Sequence, residues 1–348
     1  MGTSCLGSGS CKRSPSSGWD LAKNVFQVHG IDAAGVVVVR KPLRRSQVLP
    51  FFEGLSPCLV GIEACASAHH WGRQLMAVVH EVRLMPPAYV KAYVKRGKTD
   101  AADAEAIAEA VTRPTMRFVA VKTEAQQAIL MLHKTRDLLV RQRTMLINAL
   151  RGHLGEFGMV SAQGSAGVQA ALRSLILEQE RLPELAQAAL RGLAGQLETL
   201  RAEIERLEHQ ILAWHRQDAT SRRLATIPGI GPITASALAA SAPDPALFRS
   251  GRQFAAWLGL TPRAHSSGGK KRQAGISKMG DGYLRRLLVV GATAVLRMAR
   301  QRGVGGAWIQ GLLERKKPKA AAVALANKTA RIAWVLMARQ EVYKPAAA

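Results

Sequence analysis

The chain has 348 residues, 49 Lys plus Arg against 24 Asp plus Glu, and 48% hydrophobic residues. That apolar share excludes a chain disordered throughout, and the length, about twice the ~150-residue domain prior, argues against one compact domain. A formal net charge of +25 would repel itself without a polyanionic partner, and the commonest polyanion is nucleic acid.

Residues 1–17, rich in Ser and Gly, read as a disordered leader with no apolar signal-peptide core. Val25 to His29 and Val36 to Val39 then read as a hairpin around Asp32-Ala-Ala-Gly35. A polar helical stretch over Arg45 to Glu53 leads to a buried strand over Cys58 to Glu63 and a helix from about His69 to His80. Glu81 to Met85 is a further strand, stopped by Pro86-Pro87. A short helix around Tyr89 to Lys95 and an Ala-rich helix over Asp100 to Val111 follow. Strands that come first as a hairpin and then alternate with helices indicate a mixed α/β sheet.

The pattern changes after Pro114. Leu132, Leu139, Leu146 and Leu150 recur at helical spacing over residues 124–157, amid Arg136, Arg141, Arg143 and Arg151. Leu193, Leu197, Leu200, Ile204, Leu207, Ile211 and Trp214 make a heptad seam, which fits an antiparallel hairpin within one chain as well as self-association. Gly164 to Gly167 and Pro183 mark breaks between the helices.

From Ser221 onward a third region begins. Ile227-Pro-Gly-Ile-Gly231 sits directly before a helix starting at Pro232. Backbone N–H groups there suit a phosphate, so Gly229 and Gly231 are candidates for a helix-hairpin-helix-like grip on DNA; a plain packing corner is the alternative. Thr261 to Arg302 holds ten Lys or Arg against the single acid Asp281, including Arg263, Lys270, Lys271, Arg272 and Lys278 around a polar Ser-Ser-Gly-Gly loop. Folded together these cations form a phosphate-binding surface. The apolar run Leu287 to Leu296 is closed by Arg286 and Arg297, too short for the ~20 residues of a bilayer span. No membrane partner is expected.

Carboxylates fall where the α/β reading puts element ends: Asp20 before the hairpin, Glu63 ending a strand, Asp100 and Asp103 opening a helix on one face. Hard oxygen ligands of this kind suit Mg²⁺ or Mn²⁺, and a pair of such ions polarises both the attacking and the leaving oxygen of a phosphodiester. The same acids also serve as helix caps and dipole partners. Glu105, one position off that face, is expected to meet solvent. His69, His70 and Trp71 read as helix-start packing, Lys23 as a neighbour of the acids or a solvated cation, and His265 as a loop histidine, with a proton shuttle beside Ser267 as the alternative. Cys5, Cys11, Cys58 and Cys65 form no C-x-x-C pair or zinc motif, so a reducing, cytoplasmic setting is expected.

Five ordered segments then acquire a common meaning: Gly18-Trp-Asp-Leu-Ala-Lys-Asn24, Gly61-Ile-Glu-Ala-Cys65, Lys98-Thr-Asp-Ala-Ala-Asp-Ala-Glu105, Ile227-Pro-Gly-Ile-Gly231 and Phe254-Ala-Ala-Trp-Leu-Gly-Leu-Thr-Pro-Arg263. Together they resemble the DEDD transposases of insertion-sequence family 110 over nearly the whole chain. The resemblance implies an α/β plus α architecture. Residues 18–115 would form a RuvC-like domain of the RNase H fold, 116–217 a helical coiled-coil linker, and 218–340 a mainly α transposase domain holding a catalytic serine, with a tail over 341–348. It implies Asp20, Glu63, Asp100 and Asp103 as metal-binding acids and Ser267, or its neighbour Ser266, as the nucleophile. It further implies Mg²⁺ or Mn²⁺ as cofactor, donor and target DNA as substrates, a noncoding bridge RNA as guide, and a homo-oligomer, dimer or tetramer, with a site shared between domains. A noncatalytic nucleic-acid-binding relative and a RuvC-like junction nuclease are the alternatives.

One departure stands out. Ser14-Pro-Ser-Ser-Gly-Trp19 precedes Asp20 where an RNase H fold has an aliphatic central strand. Either this segment is altered or the strand begins only at Trp19.

Overall fold

The computed structural model describes residues 16–20, 25–95, 99–160, 162, 167, 168, 170, 182–242, 244–267, 270–303 and 306–345, with backbone only for 16–20 and 264–273. The chain divides into two compact units, residues 1–124 and 125–348.

In the first unit, strand alternation builds two apolar faces. β1 (Ser16–Asp20), β2 (Val25–Ile31) and β3 (Val37–Arg44) run antiparallel, while β4 (Leu59–Glu63) and β5 (Glu81–Met85) continue in parallel from β1. The order across the sheet is β3-β2-β1-β4-β5. Phe26, Val28, Val60, Ile62 and Leu84 meet α1 (Val48–Glu53) and α2 (Ala68–Ala77) through Phe52, Trp71 and Leu75. Each such side chain, fully buried, contributes about 1.5–3 kcal/mol. A four-residue helix, α3 (Pro87–Val90), opens after the proline pair.

Met85, with Leu59 at its edge, faces the other way, toward Ala106, Ile107, Ala110 and Val111 of α4 (Asp100–Val111). Gly61 of β4 permits this contact, because a Cβ there would lie 2.8 Å from Val111 Cβ and 3.1 Å from Met85 Cε. Val119 then adds a bridge to β5, its N–H donating to the Leu84 carbonyl at 2.8 Å.

β1 corrects two expectations. The strand begins at Ser16, not Trp19, and Ser16 and Ser17 belong to it instead of to a disordered leader. The strand's neighbours explain this: Ser16 pairs with Ile31 on one side and with Leu59 on the other. Ladders on both sides override the weak propensity of serine. The rest of the expected leader, residues 1–15, lies outside the described residues.

In the second unit, α5 (Glu124–Glu156) and α6 (Glu184–Gln217) carry the leucine repeats. Leu150 and Leu154 pack with Leu190 and Leu197 in one cluster, and Ile129 with Ile211 in another. Rising numbers on one helix meet falling numbers on the other, so the pair is antiparallel and intrachain, the first of the two arrangements open to the heptad seam. Arg136 fixes the register by donating to Glu208 through Nε at 2.7 Å. The expected break over residues 164–167 falls largely outside the described residues, whereas Pro183 immediately precedes α6 as its N-cap.

Helices α7 (Ala219–Leu224), α8 (Pro232–Ser241), α9 (Gly251–Trp257), α10 (Gly282–Arg302), α11 (Gly306–Arg315) and α12 (Pro318–Arg339) surround a core of Leu224, Phe254, Leu258, Leu284, Leu288 and Ala-rich α12. Asp218 and Ser250 cap α7 and α9, which is why those helices begin where they do. A buried polar link ties α5, α8 and α10 together: His133 Nε2 lies 3.0 Å from Ser236 Oγ and its Nδ1 3.0 Å from Tyr283 Oη. Tyr343, beyond α12, packs on the same core.

Between α9 and α10 stands a two-stranded ribbon, β6 (Pro262–Ser267) and β7 (Lys270–Ile276). The polar stretch expected as a loop is therefore mostly strand. Its sequence signal was the dipeptide Gly268-Gly269 between two short runs, a pattern typical of a hairpin connection.

Candidate active site and basic ribbon

Two acids of the first unit come together at the backbone level from adjacent strands. Trp19 pairs with Ile62 in the parallel register, so the next positions, Asp20 and Glu63, end neighbouring central strands side by side. Strand ends at the centre of an α/β sheet are where such folds bind ligands. Asp100 and Asp103 lie in the first turn of α4, whose N-cap Thr99 accepts a hydrogen bond from Ala102 N–H at 3.2 Å. Asp100 is exposed and Asp103 half-buried. Among the described residues no three His, Cys, Asp or Glu side chains assemble as a metal site; the Asp20 side chain is not among them.

Glu105 keeps a partly exposed side chain, as expected, and has a surface partner. It pairs with Lys95 at 2.6 Å, and that hydrogen bond is the first cause holding its carboxyl below the usual range. The same contact raises Lys95. Buried His29, opposite Gly18 in the sheet, feels Glu105 as well. Desolvation nevertheless pushes the imidazole down, and its Nδ1 has no hydrogen-bond partner among the described residues.

Behind β4, His69 Nδ1 accepts from Lys122 N–H at 3.2 Å and Trp71 is buried in the core, in keeping with packing at the start of α2. Cys58 is buried with its sulfur 3.4 Å from His80 Nδ1, and Cys65 is exposed; the two form no disulfide among the described residues. Lys23, Cys5 and Cys11 fall outside the described residues.

The ribbon of the second unit is held at its base. Ser277 N–H donates to Thr261 O at 2.8 Å, Lys278 N–H to Gly259 O at 3.2 Å, and Arg285 Nη1 to the carbonyls of Leu258 at 3.0 Å and Met279 at 3.2 Å. Ser267, the last residue of β6, stands opposite Lys270, and Ser266 opposite Lys271. His265 stands opposite Arg272. Side-chain detail for these positions lies outside the described residues. Arg263 and Lys278, at the foot of the ribbon, are exposed.

Two of the ten cations counted in this stretch are used internally. Arg285 makes the carbonyl contacts just given, and Arg286 pairs with Asp137 of α5 while lying 5.6 Å from the Tyr283 ring centroid. Asp281 is a helix cap, its Oδ1 accepting from Tyr283 N–H at 2.7 Å and Leu284 N–H at 3.1 Å.

The glycines of the Ile227–Gly231 turn have separate roles. Gly229 has φ +85°, and a Cβ there would lie 2.9 Å from the Gly291 carbonyl oxygen of α10. Its glycine requirement is thus met by packing against α10, as the packing-corner reading expects. Gly231 is exposed, with open space where a Cβ would stand.

Comparison with known proteins now bears on these two regions. The profile of the Transposase IS116/IS110/IS902 family matches residues 221–303, and a Transposase profile of the DEDD IS110 type matches residues 17–159. A protein of Pseudomonas aeruginosa named "Probable family 20 transposase" is 53% identical over 331 residues, 94% of this chain and 98% of its own length. The transposase for insertion sequence element IS1328 of Yersinia enterocolitica is 41% identical over 94% of this chain and 97% of its own. That for IS1111A of Coxiella burnetii is 41% identical over 94% and 90% respectively.

Proposed function

The chain belongs to the IS116/IS110/IS902 family of insertion-sequence transposases, and from that premise we propose that it cuts and rejoins DNA by pairing a serine nucleophile with a carboxylate metal site. The observation that carries the acid half is the register of β1 and β4, which supports Asp20 and Glu63 as neighbours at the centre of the sheet. The strand order β3-β2-β1-β4-β5, antiparallel then parallel, supports a RuvC-like RNase H fold for this unit.

The donor set fits a hard divalent cation, since all four candidates are carboxylates. Asp20, Glu63, Asp100 and Asp103 would hold Mg²⁺ or Mn²⁺. When bound, the ion supplies Lewis-acid polarisation of phosphate oxygens and countercharge for the DNA. Ser267, with Ser266 as the alternative, attacks phosphorus through Oγ. One P–O ester bond forms to the serine as the P–O bond to the sugar breaks. The serine proton passes to a base and the departing sugar oxygen takes one up, so no external energy source is consumed. Exposed Arg263 and Lys278, with Lys270, Lys271 and Arg272 on β7, hold the backbone phosphates, and the open backbone at Gly231 offers a further phosphate contact.

Donor and target DNA are the substrates, and a noncoding bridge RNA selects them by base pairing; the net charge of +25 supports two polyanionic partners. The site is composite and forms in a homo-oligomer. Met131 and Met145, 66% and 69% exposed on α5, offer apolar surface for a second copy. Among the described residues no helix is long and apolar enough to cross a membrane.

Strand exchange on DNA carrying the element's ends, with Mg²⁺ and co-expressed flanking transcript, tests the reading. Asp20→Asn, Glu63→Gln, Asp100→Asn, Asp103→Asn and Ser267→Ala should each lose about 1,000-fold or more, while duplex binding stays within a fewfold. No strand exchange by the wild type, with DNA still bound, would instead identify a noncatalytic DNA-binding relative, and wild-type activity in all five variants would move the chemistry to other residues. Cleavage kept by Ser266→Ala, Ser267→Ala and their double variant but lost in Asp100→Asn would identify a metal-dependent nuclease.

A further inference from the structure

A cavity of about 940 Å³ opens on the second unit between α9, α11, α12 and the segment after α12. Its size is at the upper end of ordinary ligand sites, ample for a nucleotide. Trp308 of α11 lines it and is 41% exposed, unusual for the largest apolar side chain. The Lys328 ammonium sits 3.9 Å from its ring centroid, a close cation–π contact. Arg331 follows one turn after Lys328 on α12, hence on the same face. Arg252 enters from the start of α9, where Gly251 packs so closely that a Cβ would lie 3.0 Å from the Arg331 carbonyl oxygen. Lys344 completes the rim.

Arg252, Lys328, Arg331 and Lys344 are all exposed, and none has an ion-pair partner among the described residues. They contrast with Arg285 and Arg286, which are used within the fold. Glu341 is the one acid of the lining. A half-exposed aromatic ring, with Lys328 over one face and further cations without ion-pair partners among the described residues around it, fits one chemistry above others: a planar base stacked on the ring, with its flanking phosphates on the cations. Fully paired duplex satisfies only the phosphate half, because its bases are already stacked.

We propose that this cavity captures an unpaired nucleotide, stacked on Trp308 and held by Arg252, Lys328, Arg331 and Lys344. The proposal rests on the reading of the chain as a nucleic-acid recombinase. The cavity is also coupled to the ribbon: Asn327 of its lining donates through Nδ2 to the Leu260 carbonyl at 3.2 Å, just ahead of β6. A nucleotide seated here would bear on the same backbone that leads to Ser267.

The test uses the full chain and labelled oligonucleotides: a paired duplex, the same duplex with a one-nucleotide bulge, an abasic bulge, and an RNA duplex with the bulge. The wild type should bind the bulged form about tenfold more tightly than the paired and abasic forms, the size of one stacked base. Trp308→Ala should erase that preference and leave paired-duplex affinity unchanged, while Trp308→Phe keeps most of it. Arg331→Gln should weaken bulge binding and reduce its salt dependence. A stronger preference for the DNA or the RNA bulge identifies which strand supplies the nucleotide. Equal binding of bulged, abasic and paired forms by the wild type overturns the proposal while leaving the recombinase reading intact, and so does a bulge preference that survives Trp308→Ala. No binding to any of the four probes overturns both.

Discussion

The two units carry their candidate chemistry in opposite ways. In the first, Asp20 and Glu63 end strands and Asp100 and Asp103 open a helix, all placed by a sandwiched sheet with α1 and α2 on one face and α4 on the other. In the second, the candidate serine lies on a ribbon that leaves a helical core and, among the described residues, is fastened at its base by Lys278, Ser277 and Arg285. Burial sets geometry in the first case and a few backbone hydrogen bonds do so in the second. The first arrangement should therefore fail through packing, the second through loss of polar contacts.

The largest effect is expected at Gly61. Gly61→Val would drive a side chain into Val111 and Met85, separating α4 from the sheet. A loss on the order of 3 kcal/mol or more is expected in urea unfolding, together with loss of metal-dependent activity because Asp100 and Asp103 ride on α4. Unchanged stability would show that α4 is not held by this contact.

Next comes the buried link in the second unit. Burial, aided by the Arg136 charge, lowers the His133 pKa from 6.5 to about 4. The unfolded chain therefore binds the proton more readily, and the stabilisation is complete above about pH 6.5 and lost as pH falls toward 4. Unfolding free energy should drop by roughly 2 kcal/mol between pH 7 and pH 5 from this group. His133→Gln should flatten that part of the profile, and a profile unchanged by the substitution would discount the link.

Arg285→Met should cost about 1–2 kcal/mol, from two lost charge-assisted hydrogen bonds, with strand exchange falling further than stability because the ribbon loses its fastening. Activity falling only in step with stability would mean the ribbon is fixed by other contacts. The smallest effect belongs to Asp137→Asn, which removes the pair with half-exposed Arg286. It should change thermal unfolding by less than about 1 kcal/mol.

The contrast also governs what could be read from the sequence. Short apolar runs gave the strands of the first unit, and an Ala-rich run from Asp100 gave α4, whose N-cap Thr99 only the structure shows. β1 was harder, since Ser16 and Ser17 carry little strand signal and are held by partners on both sides. The heptad seam of α6 could not select its partner, because the same apolar spacing serves a hairpin or a second chain. The pairing of Arg136 with Glu208 decides it, and that is a property of two distant positions. Counting cations overstated the free positive surface, as Arg285 and Arg286 face the protein's own carbonyls and Asp137. The cavity around Trp308 had no local signal at all: its walls come from Arg252, Trp308, Arg331 and Lys344, far apart in the chain.

The central claim is that the acids of one unit and the serine of the other serve one reaction. It is tested most directly by trapping protein–DNA adducts that resist SDS, using the element's own DNA and Mg²⁺. An adduct is expected in the wild type and absent in both Ser267→Ala and Asp100→Asn. An adduct that persists in Asp100→Asn at wild-type yield would contradict the claim, because the serine would then act without the acids.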